Sequence, residues 1–131
     1  AVDIYYSAVR GEKFICPIPK GTYMDMMYMP DALNACVQLM EADPSRLIHR
    51  NGFNIASMSF DPEGIYAAIR KERPEFEMEY KVDPLKASIA NSWPNSLDDV
   101  CARQEWDWKP SFNLETMTHD MLEKLSARLL K

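Results

Sequence analysis

Apolar residues recur every three or four positions in several parts of the chain, which is the period of an amphipathic helix. This spacing predicts helices over residues 1–10, 31–42, 61–73 and 113–129. A shorter helix is predicted after Ser96, whose hydroxyl would cap it by accepting from the amide of Asp99. The residues predicted to cap the other helices or to end the first one are Asp31, Asp61, Asn113 and Gly11.

Between these helices, short apolar runs and alternating apolar and polar residues indicate strands. Four strands are predicted, at residues 14–19, 26–29, 52–58 and 76–82. Because strands and helices are mixed along the chain, we predict an α/β fold built from layers of sheet and helix.

The segment 89–110 holds all three tryptophans of the chain. Trp93 precedes a proline, which biases it toward an extended or turn conformation. Trp106 and Trp108 lie just before Pro110, and we predict that they pack as a clamp that ends the short helix. Trp93 has two interpretations: it contacts a ligand, or it packs between domains.

Composition and charge narrow the function classes. The chain has 131 residues, 47% of them hydrophobic and 27% charged, which is ordinary for one globular domain. Its net charge of −5 argues against nucleic acid as a partner, because phosphate binding needs clustered Lys and Arg. No apolar run approaches the roughly 20 residues that cross a bilayer, so we expect no membrane partner.

The cysteines and histidines suggest no metal centre. Cys16, Cys36 and Cys101 are far apart, and we expect them to be small buried side chains in a reducing compartment. His49 lies in a polar loop and His119 on a charged helix, and these two histidines alone are too few for a metal site.

No set of catalytic residues is complete within the chain. The four glycines form no Gly-x-Gly-x-x-Gly turn, so no residue is predicted to bind a dinucleotide. Tyr66 and Arg70 have the spacing of a tyrosine with a basic partner, but an arginine does not tune a tyrosine as a lysine does. Asp98 and Asp99 are better explained as first-turn acids than as an acid–base pair.

The chain begins inside a helical period and without a methionine. We therefore expect it to be the later part of a longer polypeptide. If so, the helices at 1–10 and 31–42 should expose apolar faces in this piece.

Two motifs carry a family resemblance. Residues 26–33 read Met-Met-Tyr-Met-Pro-Asp-Ala-Leu, and a second motif runs from Asp98 through Ala102 to Trp108-Lys-Pro. Both resemble the C-terminal part of extended short-chain dehydrogenases/reductases, the relatives of nucleotide-sugar epimerases and dehydratases. The short-chain L-threonine 3-dehydrogenases carry a similar Met-Tyr-Met-Pro-Asp-Ala-Leu run and a run similar to Ser-Trp-Pro-Asn-Ser-Leu-Asp-Asp at 92–99.

Two departures from the family pattern are informative. Met24 stands where nucleotide-sugar members have an arginine that helps hold their substrate, so the resemblance favours a smaller substrate. Asp107 stands where the family has glycine, and we expect a left-handed backbone there, which Asp tolerates better than most residues.

The resemblance implies that cofactor binding and substrate binding belong to different parts of the polypeptide. The glycine-rich turn that binds NAD and the catalytic Ser/Thr, Tyr and Lys would lie upstream of Ala1. Residues 31–56 would return to the dinucleotide-binding (Rossmann-type) domain, and the remainder would form a small lobe that caps the substrate. By analogy, Trp93 would close over the substrate, with Met27 and Tyr28 near the pocket. The alternative for Met27 and Tyr28 is packing in a core strand.

The function implied by the resemblance is NAD-dependent oxidation of L-threonine to 2-amino-3-ketobutyrate, with this piece inactive alone. The alternatives are a nucleotide-sugar epimerase or reductase and a non-enzymatic interaction module. The partners implied are the N-terminal part of the same polypeptide and a second copy, joined through upstream helices. The family implies a mitochondrial location in a eukaryote and a cytoplasmic one otherwise.

Overall fold

The structure is a computed structural model, and it describes residues 2–129. Six helices and four short strands follow one another as α1 (Val2–Arg10), β1 (Phe14–Cys16), β2 (Met24–Met26), α2 (Met29–Glu41), β3 (Met58–Phe60), α3 (Pro62–Glu72), β4 (Met78–Tyr80), α4 (Pro84–Asn91), α5 (Val100–Trp106) and α6 (Leu114–Leu129). β1 pairs with β4 in parallel, and β2 pairs with β3 in antiparallel register. The predicted α/β class is confirmed.

The main core lies between α1, α3 and α6. Ile4 and Tyr5 of α1 are almost completely buried, as are Ile69 of α3 and Leu122 of α6. The hydroxyl of Tyr5 makes a 2.8 Å hydrogen bond to the hydroxyl of Thr118, so the one polar atom that Tyr5 takes into this core is satisfied. The apolar face of α1 is therefore covered, and the expectation that it would be exposed is wrong.

A second, smaller cluster joins α2 to α5 and to the segment after it. Ala35, Ala102, Trp106 and Trp108 are its buried members. The opposite face of α2 has no cover among the described residues, and its side chains are exposed: Leu33, Cys36, Val37 and Met40. The chain therefore presents the predicted apolar stripe of this helix to solvent.

Several helix ends follow the predicted rules. Asp61 caps α3 by accepting from the amide of Gly64 at 3.0 Å. Asn113 accepts from the amide of Thr116 at 2.9 Å at the start of α6. Gly11, after α1, has a φ of 69°. Asp107 ends α5 with a φ of 60°, so the predicted left-handed conformation is confirmed.

Two predicted strands are misplaced. The strand predicted at 26–29 lies instead at Met24–Met26, because α2 already begins at Met29 with proline in its first turn. The strand predicted at 52–58 is extended backbone without a ladder partner in the described part of the chain, and only its last residue, Met58, enters β3. A strand needs a neighbour, which periodicity along the chain does not reveal.

Two predicted caps are wrong. The N-cap of α2 is Tyr28, and Asp31 lies buried in the first turn, where its carboxylate accepts from the amides of Ser111 and Phe112. The N-cap of α5 is Asp99, so α5 begins three residues later than a Ser96 cap would require.

Other differences concern α4 and the cysteines. Helix α4 is absent from the predicted elements, although Asp83 and Pro84 at its start repeat the Asp-Pro signal that begins α3. Cys16 is buried as predicted, but Cys36 is exposed and Cys101 is partly exposed, so the expectation of three buried cysteines is wrong. Within residues 2–129, none of the helices combines the length and apolar character that a membrane span requires.

Candidate functional site

The segment that follows Trp93 runs beside the β2–β3 ribbon. The amide of Asp25 donates to the carbonyl of Pro94 at 3.4 Å, and its carboxylate accepts from the amide of Leu97 at 2.9 Å. The hydroxyl of Ser59, the residue paired with Asp25 in the ribbon, donates to the carbonyl of Asn95 at 2.5 Å. These contacts fix the backbone that carries Trp93.

A cavity of about 250 Å³ lies beside Trp93. Its wall is mainly apolar and is formed by α1, β1 and the loop after it, β2, β3, the start of α3 and the end of α4. Met24, Phe60, Ala90 and Trp93 are among its lining residues. Trp93 is 51% exposed, so its indole forms a rim of the cavity and is not part of the core.

The charge of this cavity argues against phosphate. Its only ionisable carboxylates are Asp3 and Asp61, and no lysine or arginine of the described residues lines it. Asp61 already accepts from the amides of Gly64 and Gly21 at 3.0 and 3.1 Å. Arginine and lysine are the side chains that bind phosphate. The cavity is therefore better suited to a small ligand than to a nucleotide-sugar.

Met27 and Tyr28 do not line this cavity. Met27 packs against the cluster of Trp106 and Trp108. Tyr28 packs against the main core, with its ring edge-on to Phe112 at a centroid distance of 4.9 Å. The structure thus brings Met24, and neither Met27 nor Tyr28, to Trp93; the substrate contacts predicted for Met27 and Tyr28 remain predictions.

The hydroxyl of Tyr28 is unsuited to act as a base. It donates to the carboxylate of Asp120 at 2.6 Å. Burial and this carboxylate raise the pKa of Tyr28 to about 12. A catalytic tyrosine needs a pKa near the working pH, which a neighbouring cation provides. Tyr28 has the opposite environment.

The tryptophan clamp is present. Trp106 and Trp108 are 6% and 2% exposed, and their ring centroids lie 5.6 Å apart. The indole nitrogen of Trp108 donates to the carbonyl of Ala56 at 3.0 Å, and its amide bonds to the carbonyl of Ala102. Both residues therefore stabilise the end of α5, as predicted.

A dinucleotide does not fit the described residues. A pyrophosphate needs a glycine-rich turn before a free helix N-terminus. Every helix here has an acidic residue as its N-cap or in its first turn: Asp3, Asp31, Asp61, Asp83, Asp99 and Glu115. Negative charge at these positions repels a phosphate, so no step that uses NAD is assigned to residues of this chain.

Comparisons with known proteins show which proteins the chain is similar to. No protein-family model matches the chain. An uncharacterized epimerase/dehydratase of Staphylococcus aureus (strain MRSA252) is 51% identical over 128 residues, which are 98% of this chain and 40% of that protein. The X-ray structure of L-threonine dehydrogenase from Clostridium difficile aligns with a TM-score of 0.92 and 56% identity, over 96% of this chain and 40% of that one. The L-threonine dehydrogenase of Phytophthora infestans aligns with a TM-score of 0.91 and 42% identity, over 97% and 41%.

The chain resembles the C-terminal part of the L-threonine 3-dehydrogenases. It spans about two fifths of the length of these relatives. Its mixture of helices and small sheets matches the C-terminal part of an extended short-chain dehydrogenase/reductase of the threonine dehydrogenase type, as predicted.

Within this threonine dehydrogenase-like fold, the other candidate groups have structural partners. The hydroxyl of Tyr66 donates to the carbonyl of Phe76, and Arg70 bonds to the carbonyl of Pro74. Asp99 pairs with Arg103 at 2.7 Å. The hydrogen bond from Arg103 outweighs the effect of burial and holds the pKa of Asp99 below its usual value.

Asp98 accepts from the amide of Val100 at the start of α5. It therefore holds a backbone amide instead of sharing a proton with Asp99.

Two sets of residues are absent, in part or entirely, from the sites predicted from the sequence. One is most of the wall of the cavity, of which the sequence singled out only Met24 and Trp93. The other is a group formed by His49, Cys101 and Glu105, whose possible ligand atoms lie within 4.8 Å of one another. The spacing of four residues between Cys101 and Glu105 indicates a shared helix face, but His49 is far away in sequence and gave no signal.

Proposed function

We propose that this chain is the C-terminal part of an NAD-dependent L-threonine 3-dehydrogenase. The observation that carries the proposal is the match to the Clostridium difficile L-threonine dehydrogenase, at 56% identity and a TM-score of 0.92 over nearly the whole chain. The whole enzyme would oxidise the hydroxyl-bearing carbon of L-threonine and give 2-amino-3-ketobutyrate. NAD, bound mainly by the preceding part of the polypeptide, supplies the hydride acceptor when it is present.

In this proposal the chain contributes to substrate binding and not to proton transfer. Trp93 lies at the rim of the cavity and covers the substrate, which excludes water from the reacting carbon. The bond from the Asp25 amide to the Pro94 carbonyl and the bond from the Leu97 amide to the Asp25 carboxylate hold the indole in position. Asp3 places a carboxylate on the cavity wall, where it would attract the ammonium group of an amino acid.

The exposed face of α2 supports the division of the chain that the family implies. Leu33, Val37 and Met40 are 62%, 45% and 79% exposed. Apolar side chains grouped on one helix face normally have a cover. We propose that the preceding dinucleotide-binding part covers them, and that the unpaired extended segment 52–57 joins its sheet. Residues 31–56 would then belong to the large domain.

The second candidate is a nucleotide-sugar epimerase or reductase. It is supported by the name epimerase/dehydratase of the Staphylococcus aureus relative, which is 51% identical. Against it stands the cavity, where Met24 occupies the position of the family's arginine and where no cationic side chain among the described residues is available for a diphosphate. The threonine dehydrogenase function is therefore the better supported of the two.

Substitution of Trp93 in the intact polypeptide tests the role of the cavity. We expect Trp93→Ala to raise the KM for L-threonine roughly tenfold or more, because a group that covers a small substrate supplies a large part of its contacts. Trp93→Phe should retain most of the affinity. Ile89→Ala is the matched control, because Ile89 is 52% exposed in the same segment but does not line the cavity.

A panel of substrates completes this test. L-threonine and UDP-sugars are offered to the same preparation with NAD, and product formation is measured for each. Conversion of UDP-sugars without oxidation of L-threonine would replace the proposal by the second candidate. An unchanged KM in Trp93→Ala would remove Trp93 from the substrate site.

A further inference from the structure

Three side chains that the proposed function does not use form a chain of contacts between α5 and the connection from α2 to β3. Cys101 and Glu105 lie one turn apart on the same face of α5. His49 comes from the connection between α2 and β3. Its ring nitrogen Nδ1 is hydrogen-bonded to Glu105 Oε1, and its Nε2 lies 4.0 Å from the sulfur of Cys101.

Glu105 fixes the position and the tautomer of this histidine. Its side chain is only 6% exposed, and its second oxygen accepts from the amides of Ile48 and His49 at 2.6 and 2.9 Å. Burial acts to raise the pKa of Glu105, but the hydrogen bonds from His49 and these amides outweigh it and hold the pKa below its usual value. The ionised carboxylate keeps a proton on Nδ1, so the lone pair of the neutral ring is on Nε2 and faces the thiol.

A thiol, an imidazole nitrogen and an orienting carboxylate in this order have the arrangement of an activated nucleophile. The imidazole can take the thiol proton, and the thiolate is the form of cysteine that reacts. Cys101 is partly exposed and so accessible to a small molecule, whereas Cys16 is buried. Cys36 is exposed but has no histidine or carboxylate bonded to it among the described residues.

One cationic side chain, Arg50, lines the surface beside His49. An open depression of about 400 Å³ is lined by His49, Arg50, Asn51 and Phe53 together with neighbouring apolar residues. The guanidinium of Arg50 bonds to the carbonyls of Leu47 and Pro44, and no carboxylate in residues 2–129 pairs with it. Its charge remains available to an anionic molecule.

We propose that Cys101 is a site of reversible S-thiolation by anionic low-molecular-weight disulfides, with His49 as the base and Glu105 as the group that orients it. The thiol proton moves to Nε2 of His49, and the Cys101 sulfur attacks one sulfur of the disulfide. A new S–S bond forms while the old one breaks. The leaving thiolate takes up the proton from His49, so the disulfide is reduced to one thiol and Cys101 is oxidised to a mixed disulfide.

A metal ion explains the same side chains less well. Both oxygens of Glu105 are already engaged, by the ring and by the two amides. Only one sulfur and one ring nitrogen remain as ligands, whereas structural zinc is held by four. The geometry therefore favours the reactive thiol.

The test measures the rate of S-thiolation at each cysteine of the intact polypeptide. Oxidised glutathione is added at neutral pH, and peptide mass spectrometry follows Cys16, Cys36 and Cys101 separately. We expect Cys101 to react faster in the native protein than in the same protein unfolded in denaturant. The reaction with oxidised glutathione should also exceed that with cystamine, a cationic disulfide, because of Arg50.

Two variants distinguish activation from mere exposure. His49→Gln retains a side chain that can bond to Glu105 but removes the base, and we expect it to slow Cys101 roughly tenfold or more. Glu105→Gln should slow it as well. Unchanged rates at Cys16 and Cys36 show that each variant is folded.

Three results would overturn the proposal: a native Cys101 no faster than the unfolded thiol, a rate unaffected by His49→Gln, or stoichiometric binding of Zn²⁺ that blocks Cys101. None of these depends on threonine dehydrogenase activity, so the two proposals fail separately.

Discussion

At the scale of single residues, Asp31 shows how one side chain ties distant parts of the chain together. It is 1% exposed, and its two oxygens accept from the amides of Ser111 and Phe112 at 2.9 and 3.0 Å. These amides belong to the turn that leads from the tryptophan clamp into α6. Asp31 thus joins α2 to the start of the last helix, and both donors depend on it for a buried partner.

Removal of the Asp31 carboxylate should destabilise the folded state. We expect Asp31→Ala to lower the free energy of unfolding by about 3 kcal/mol, because it leaves two amides without acceptors. Asp3→Ala is the matched control: Asp3 is also a first-turn acid, but it is exposed and should cost less than about 0.5 kcal/mol. Urea denaturation of both variants checks this. A loss at Asp31 no larger than the loss at Asp3 would contradict the assigned bonds.

Substitutions of Asp107 test the left-handed backbone conformation at the end of α5. Its φ is 60°, and its carboxylate pairs with Arg46 at the surface. Asp107→Gly and Asp107→Ala both remove that ion pair, so their difference isolates the backbone conformation. We expect the glycine variant to be more stable than the alanine variant by about 1 kcal/mol. Equal midpoints in thermal or urea unfolding would show that the left-handed conformation is not retained.

The buried hydroxyl of Tyr5 makes the free energy of unfolding depend on pH in the alkaline range. Burial raises its pKa from 10.0 to about 12, and the hydrogen bond with Thr118 lowers it only partly. Because the folded state holds this proton more tightly, the stabilisation is complete below pH 10 and is lost as the pH rises toward 12. We expect Tyr5→Phe to flatten the fall of the unfolding free energy in this window, while Tyr23→Phe, at an exposed tyrosine, should leave it unchanged. Identical pH profiles for both variants would contradict the burial of this hydroxyl.

Sequence rules worked at residues whose partners are close along the chain. The caps Asp61 and Asn113 and the left-handed Asp107 were all predictable, because their bonds or conformations are local. The sequence predicts Asp31 as a cap because its carboxylate stands at the start of an apolar helical period, as that of a capping residue does. Its real donors lie some 80 residues away, and no local pattern encodes them.

At the scale of elements, the apolar stripe of α2 is the feature with the largest consequence. The spacing of Leu33, Val37 and Met40 predicted the helix correctly, but a stripe alone does not say what covers it. In the described chain nothing does. The same limit applies to the extended segment 52–57: its composition indicates a strand, and the neighbour that would complete a ladder is not among residues 2–129.

Polar substitutions on α2 test whether this face is an interface. In residues 1–131 alone, the double variant Leu33→Gln, Met40→Gln should change the unfolding free energy by less than about 0.5 kcal/mol, because both side chains are exposed. In the intact polypeptide the same change should cost about 3 kcal/mol or more, since two buried apolar side chains are lost. Leu85→Gln, at a residue on α4 that is 70% exposed, is the control and should be neutral in both.

Denaturant titrations of the two lengths of chain give these values. If the double variant is neutral in the intact polypeptide too, the face of α2 is not covered by the preceding part, and residues 31–56 do not belong to a larger domain.

At the scale of the whole molecule, the described residues form two clusters of buried side chains. The larger cluster, between α1, α3 and α6, makes a lobe with its own core, and the cavity beside Trp93 opens on its edge. The smaller cluster gathers around the tryptophan clamp and carries the uncovered face of α2. Under the proposed function, the first cluster would form the core of the substrate lobe, and the second would join that lobe to residues 31–56 of the large domain.

The most direct test of this account is NADH formation with L-threonine and NAD. The polypeptide that includes the preceding part is compared with residues 1–131 alone, at equal concentration. We expect threonine-dependent NADH formation from the longer polypeptide and none from residues 1–131, because the described residues offer neither a dinucleotide site nor a tyrosine paired with a lysine. Turnover by residues 1–131 alone, or a longer polypeptide that leaves L-threonine unoxidised, would contradict the account.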